Sequence, residues 1–126
     1  MSLEDFEHLL YVFNQFDVSG SVSDIRKFGS GHINDTFRVK IVDSEQSYLL
    51  QKINHHIFVD VAGLMQNIDL VTSHLKNEMN GKVDDVNKHT LTIIVCKDHN
   101  LYYFDKKKGE YWRVFLLLDN TKVMIL

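Results

Sequence analysis

The chain has 126 residues, 44% of them hydrophobic and 25% charged, which supports one core and is too short for two domains of ordinary size. A net charge of −3 removes the electrostatic case for nucleic acid, no apolar run reaches the length of a membrane span, and the acidic start (Glu4, Asp5, Glu7) is unlike a signal peptide. The single cysteine, Cys96, leaves no disulfide framework, which fits a reducing cytoplasm, and its place after Thr92-Ile93-Ile94-Val95 makes it a small buried hydrophobe.

Residues 3 to 16 put Leu3, Phe6, Leu9, Leu10, Phe13 and Phe16 at helical spacing, with Ser2 and Asp5 as an N-terminal capping pair. Residues 22 to 28, 36 to 42 and 47 to 53 are short and rich in β-branched and aromatic types. They are separated by 29 to 35 and by Asp43-Ser44-Glu45-Gln46, and predict a three-stranded antiparallel meander. Asp60 caps a second helix running to about Asn77, whose Val61, Leu64, Met65, Ile68, Thr72 and Leu75 form one apolar stripe. Past Asn80-Gly81, residues 90 to 97, 101 to 105 and 111 to 118 are three further strands. They are joined by Asp98-His99-Asn100 and by Lys106-Lys107-Lys108-Gly109, which reads as a solvated hairpin turn. The fold class expected is α+β, a five- to six-stranded antiparallel sheet with one packed helix and an N-terminal helix, in a single domain over residues 1 to 126.

Seven histidines invite a search for a metal site. His55 and His56 are adjacent and would face opposite ways on a strand. No His-x-x-x-His or cysteine partner completes a ligand pattern, so no metal site is expected from them. Nor do the residues outline a serine or cysteine triad.

Four motifs carry more information: Phe28-Gly29-Ser30-Gly31-His32-Ile33-Asn34-Asp35-Thr36-Phe37, Leu50-Gln51-Lys52-Ile53-Asn54, Val71-Thr72-Ser73-His74-Leu75 and Trp112-Arg113-Val114-Phe115. In wording, order and spacing they resemble the N-terminal part of the N-acetylhexosamine 1-kinases, within the aminoglycoside-phosphotransferase-like sugar kinases. The resemblance spans roughly residues 16 to 121. The element order also resembles a protein-kinase-like small lobe. Such a lobe has a glycine loop between the first two strands, a lysine on the third, a helix beside it, and further strands leading to a hinge.

This resemblance implies an ATP-binding lobe. Gly29 and Gly31 tolerate positive φ and bring no side chain against a phosphate, so amides of the loop Gly29, Ser30, Gly31, His32 and Asn34 would face its oxygens. A Gly-Ser-Gly turn between strands also needs no ligand. Strand alternation puts Leu50 and Lys52 on one face and Leu49, Gln51 and Ile53 on the other. Leu50, with Thr36, would then roof the adenine while Lys52 reaches the phosphates; alternatively, Lys52 is a surface lysine at a strand end. Asp69 on the second helix is the acid favoured to orient Lys52, Glu78 falling beyond that helix, although an ordinary exposed aspartate would look the same. Backbone groups around Leu117 to Asp119 would meet the adenine edge, with Phe115 or Leu116 behind it.

The resemblance further implies ATP and magnesium as cofactors, with the catalytic aspartate and the magnesium ligands in a larger helical lobe after the hinge. The chain ends on Val123-Met124-Ile125-Leu126 and reads as an isolated small lobe, inactive alone. Its partner would be nucleotide together with the missing C-terminal lobe or a second copy of the chain. The competing expectation is a non-enzymatic dimerisation or partner-docking module, betrayed by exposed apolar area around Leu70 and residues 115 to 126.

Overall fold

A computed structural model describes residues 1–29, 35–81 and 91–117. Helix α1 (Leu3–Phe13) starts on the expected capping box: the Asp5 amide donates to Ser2 Oγ at 3.1 Å and the Ser2 amide donates to Asp5 Oδ2 at 3.3 Å. It stops three residues before the expected end. The amides of Gln15 and Phe16 tighten onto the carbonyls of Val12 and Phe13, and the chain then pairs with a distant segment. There Asp17 N–H donates to the Val95 carbonyl and Lys97 N–H to the Gln15 carbonyl, with Phe16 bridged to Cys96. Long-range pairing outweighs the apolar periodicity that continues through Phe16, which is nonetheless buried.

Strands β1 (Val22–Lys27), β2 (Asp35–Ile41) and β3 (Ser47–Ile53) form the expected antiparallel meander. Helix α2 (Val61–Met79) follows, with Asp60 Oδ1 accepting from the Gly63 amide at 2.9 Å. It runs past Asn77, so Glu78 lies within its last turn rather than beyond it. Of the apolar stripe, Val61 and Met65 are buried and Leu64 and Ile68 partly so, whereas Leu75 is exposed.

Strands β4 (Ile93–Ile94), β5 (Tyr103–Asp105) and β6 (Glu110–Leu117) complete a six-stranded antiparallel sheet of order β1-β2-β3-β6-β4, in which β5 also pairs with β6. The strand expected over 90 to 97 keeps only Ile93–Ile94 in this ladder, because Val95 to Lys97 turn away to pair with Gln15 to Asp17. Between β5 and β6 the three lysines form the expected exposed turn. Gly109 closes it at φ +65°, its amide on the Asp105 carbonyl at 2.8 Å.

Each face of the sheet carries one helix. On the first, Leu9, Val12 and Phe13 of α1 join Phe16 in covering Ile25, Val39, Leu50, Trp112 and Val114. On the second, Met65 and Val61 of α2 pack on Ile53, and Ile68 reaches Leu49, Phe115 and Leu117. Burying a side chain such as Leu50 contributes about 1.5–3 kcal/mol. The alternation of β3 thus assigns Leu50 and Lys52 to the α1 face and Leu49, Gln51 and Ile53 to the α2 face, as the sequence predicts.

Candidate functional site

Lys52 stands at the end of β3, opposite the point where the β1–β2 connection enters β2. In the ladder its direct neighbours are Asp35, the first residue of β2, and Trp112 of β6. Its ammonium lies 3.1 Å from Asp35 Oδ2 and 3.3 Å from Glu110 Oε2. Partial burial pulls the Lys52 ammonium down, but the Asp35 hydrogen bond and the charges of Glu110 and Asp35 outweigh it and hold the group above its ordinary value.

Around this ammonium are two adjoining clefts. One, about 340 Å³, lies between the N-terminal part of α1 and the sheet, with Lys27, Lys52 and Lys108 at its rim and Phe37 and Trp112 in its wall. The other, about 420 Å³, runs past Asp35 and Lys52 to Asn54, His55 and His56. Trp112 is almost wholly buried, and its indole N–H has no hydrogen-bond partner among the described residues. The cleft mixes charges: Asp5, His8 and Glu110 line it together with Lys27, Lys52 and Lys108, and the Trp112 indole N–H is buried behind its wall.

The expected site residues divide. Gly29 sits at φ +75° with open space where a Cβ would be, at the mouth of the β1–β2 connection. Ser30, Gly31, His32, Asn34 and Asp119 lie outside the described residues. Leu50 shares the face of Lys52 but is sealed beneath α1 and offers no surface to an adenine. Thr36 is buried on the opposite face, where its hydroxyl accepts from Gln51 Nε2 at 2.9 Å. The roof expected from Leu50, Thr36 and Lys52 is therefore not assembled, because alternation along β2 separates Thr36 from Asp35 and α1 fills the space below Leu50.

Asp69 is likewise separated from Lys52: it belongs to α2, on the far side of the sheet, and its charge acts on Lys76. The acids that hold Lys52 are Asp35 and Glu110 instead. Leu117, the last residue of β6, is buried against Leu49 and Phe115.

On the α2 face lies a polar arrangement that the sequence does not announce. Arg113, with no exposed surface, donates its Nε–H to Gln51 Oε1 at 2.7 Å, sets Nη1 3.7 Å from Met65 Sδ, and lies over the Phe115 ring. Burial pulls the guanidinium down to about 10, which leaves it charged at neutral pH. The motif Trp112-Arg113-Val114-Phe115 marked this segment, but only the pairing of β3 with β6 brings Gln51 opposite Arg113. Likewise, α1 and the lysine turn are each legible locally, but only the docking of α1 on the sheet brings His8 to Glu110. No protein-family model matches the chain.

Proposed function

We propose that the chain is the nucleotide-binding lobe of an ATP-dependent sugar 1-kinase of the N-acetylhexosamine type, catalytically silent by itself. One observation carries this reading: Asp35, the residue that follows the Gly29-to-Asn34 segment, pairs directly with Lys52, so the glycine-bearing connection opens beside the lysine. The order of hairpin, lysine strand, helix and returning strands supports it, as do the four motifs of the resemblance.

In this reading the phosphates lie among Lys27, Lys52 and Lys108, where a phosphate oxygen competes with Glu110 for the Lys52 ammonium. The base lies towards Phe37 and Trp112, in the wall of the same cleft, and not under Leu50. Magnesium, when bound with the nucleotide, neutralises phosphate charge. The Asp35 carboxylate beside Lys52 is an oxygen donor of the type it takes. Transfer of the γ-phosphate to the anomeric hydroxyl needs an aspartate and further metal ligands that the resemblance assigns to a second lobe.

The test is a calorimetric titration of magnesium-ATP into the chain and into Lys52→Ala, followed by a phosphorylation assay with N-acetylglucosamine. Saturable binding that the substitution abolishes, without turnover, is the expected result. Absence of binding to the parent chain at millimolar ATP would overturn the reading.

A second reading, a dimerisation or partner-docking module, is favoured by the apolar residues left uncovered around α2. Val59 is 86% and Leu70 68% exposed, with Ile57 and Val71 also more than half exposed. Sedimentation separates the two: a dimer that Leu70→Glu converts to monomer supports docking, and a monomer at all concentrations removes the homodimer.

A further inference from the structure

We propose that His8, Asp105 and Glu110 form a binding site for a divalent transition-metal ion of the zinc type, which ties α1 to the β5–β6 turn. The three residues come from places without a sequence relationship: His8 is in the middle of α1, and Asp105 and Glu110 are ladder partners on either side of the lysine turn. Their ligand atoms lie within 4.8 Å of one another.

His8 Nε2 makes a long hydrogen-bond contact with Glu110 Oε1 and leaves Asp105 Oδ2 without a hydrogen-bond partner among the described residues. His8 Nε2 is 3.4 Å from Asp105 Oδ2 and 3.4 Å from Glu110 Oε1. One ring nitrogen carries at most one proton, so it cannot donate well to both oxygens. Zinc bonded at about 2.1 Å to nitrogen and oxygen in a tetrahedron separates its ligand atoms by about 3.4 Å.

Asp105 supplies an independent indication. The residue is 4% exposed, and its Oδ1 accepts from the Lys107 amide at 3.1 Å. Its Oδ2, buried and turned towards His8, has no hydrogen-bond partner among the described residues. A buried carboxylate oxygen in that state is costly unless something positive meets it.

Asp35 and Glu110 are ion-paired to Lys52, and Lys107 and Lys108 border the cavity beside His8 and Asp105, so the acids and lysines around the site are close to balanced. Lys52 occupies Glu110 Oε2 and so orients the carboxylate, leaving Oε1 for the ion. A cavity of about 180 Å³ bordered by His8, Tyr11, Asp105, Lys107 and Lys108 gives a fourth ligand, water, access to the site. His8 and Glu110 also line the Lys52 cleft of the nucleotide reading, and the test contains no nucleotide, so the two readings fail separately.

The full chain is stripped with chelator, dialysed against zinc, and assayed for bound metal by mass spectrometry; cobalt is then substituted and its visible spectrum recorded. One zinc per chain, a tetrahedral cobalt spectrum and a zinc-dependent rise in melting temperature are expected. His8→Gln and Asp105→Asn, shown to be folded by circular dichroism, should each weaken zinc by about 100-fold or more. His55→Ala with His56→Ala should leave binding intact. Zinc content unchanged in His8→Gln and Asp105→Asn, or absent from the parent chain, would refute the site.

Discussion

The Arg113 guanidinium and the Gln51 side-chain carbonyl meet at 2.7 Å inside the layer between the sheet and α2, where neither reaches solvent. Gln51 passes the contact on through its amide to Thr36, so three strands are joined by side chains as well as by the ladder. Such a chain is stabilising only while each member keeps its partner. Gln51→Leu, which takes the acceptor from a buried cation, should lower unfolding free energy by about 1.5–3 kcal/mol in urea titrations. Arg113→Met added to it should restore part of that loss, and strictly additive losses would show that the two side chains are uncoupled.

Cys96 should be inert in the folded chain. Burial, aided by the charge of Asp98, pushes its thiol up to about 12, so almost no thiolate exists at neutral or mildly alkaline pH. Labelling with a disulfide reagent should be slow in buffer and fast in denaturant. Rapid stoichiometric reaction of native protein would contradict the packing of Phe16 against the β4 edge.

The Lys52 cluster sets an alkaline limit. Because its ammonium is held above the ordinary lysine value, it stabilises the folded state fully at pH below the unfolded value of about 10.4, and that contribution is lost as pH rises through the folded value. Melting temperature of the parent chain should fall more steeply above about pH 10 than that of Lys52→Met. Parallel curves would mean that Asp35 and Glu110 contribute no net stabilisation through this charge.

Ser2→Ala removes the oxygen that accepts from the Asp5 amide and breaks the capping box. It should cost about 1 kcal/mol, read as a lower urea midpoint with unchanged slope. An unchanged midpoint would indicate that α1 is held by its apolar face alone.

Local signals made most of the fold legible. Apolar spacing gave α1 and α2, the short β-branched runs gave the meander, and Ser2, Asp60 and Gly109 marked turns and caps. Failures came where distant segments meet. Periodicity through Phe16 and through Val95 concealed the pairing of these two stretches with each other. In the site, alternation on β3 correctly separated Lys52 from Gln51, but it cannot say which helix covers which face. With α1 over Leu50 and α2 on the far side, the roles expected for Leu50, Thr36 and Asp69 had no geometry to support them, while Asp35 and Glu110 took over the lysine.

Trp112 is the sole tryptophan and lies in the wall of the Lys52 cleft, so its emission reports directly on whether a nucleotide enters. Magnesium-ATP, corrected for absorption, should quench it saturably in the parent chain and leave Lys52→Ala unchanged. Emission that stays constant to millimolar nucleotide, or an identical response in both proteins, would contradict a nucleotide site built on Lys52.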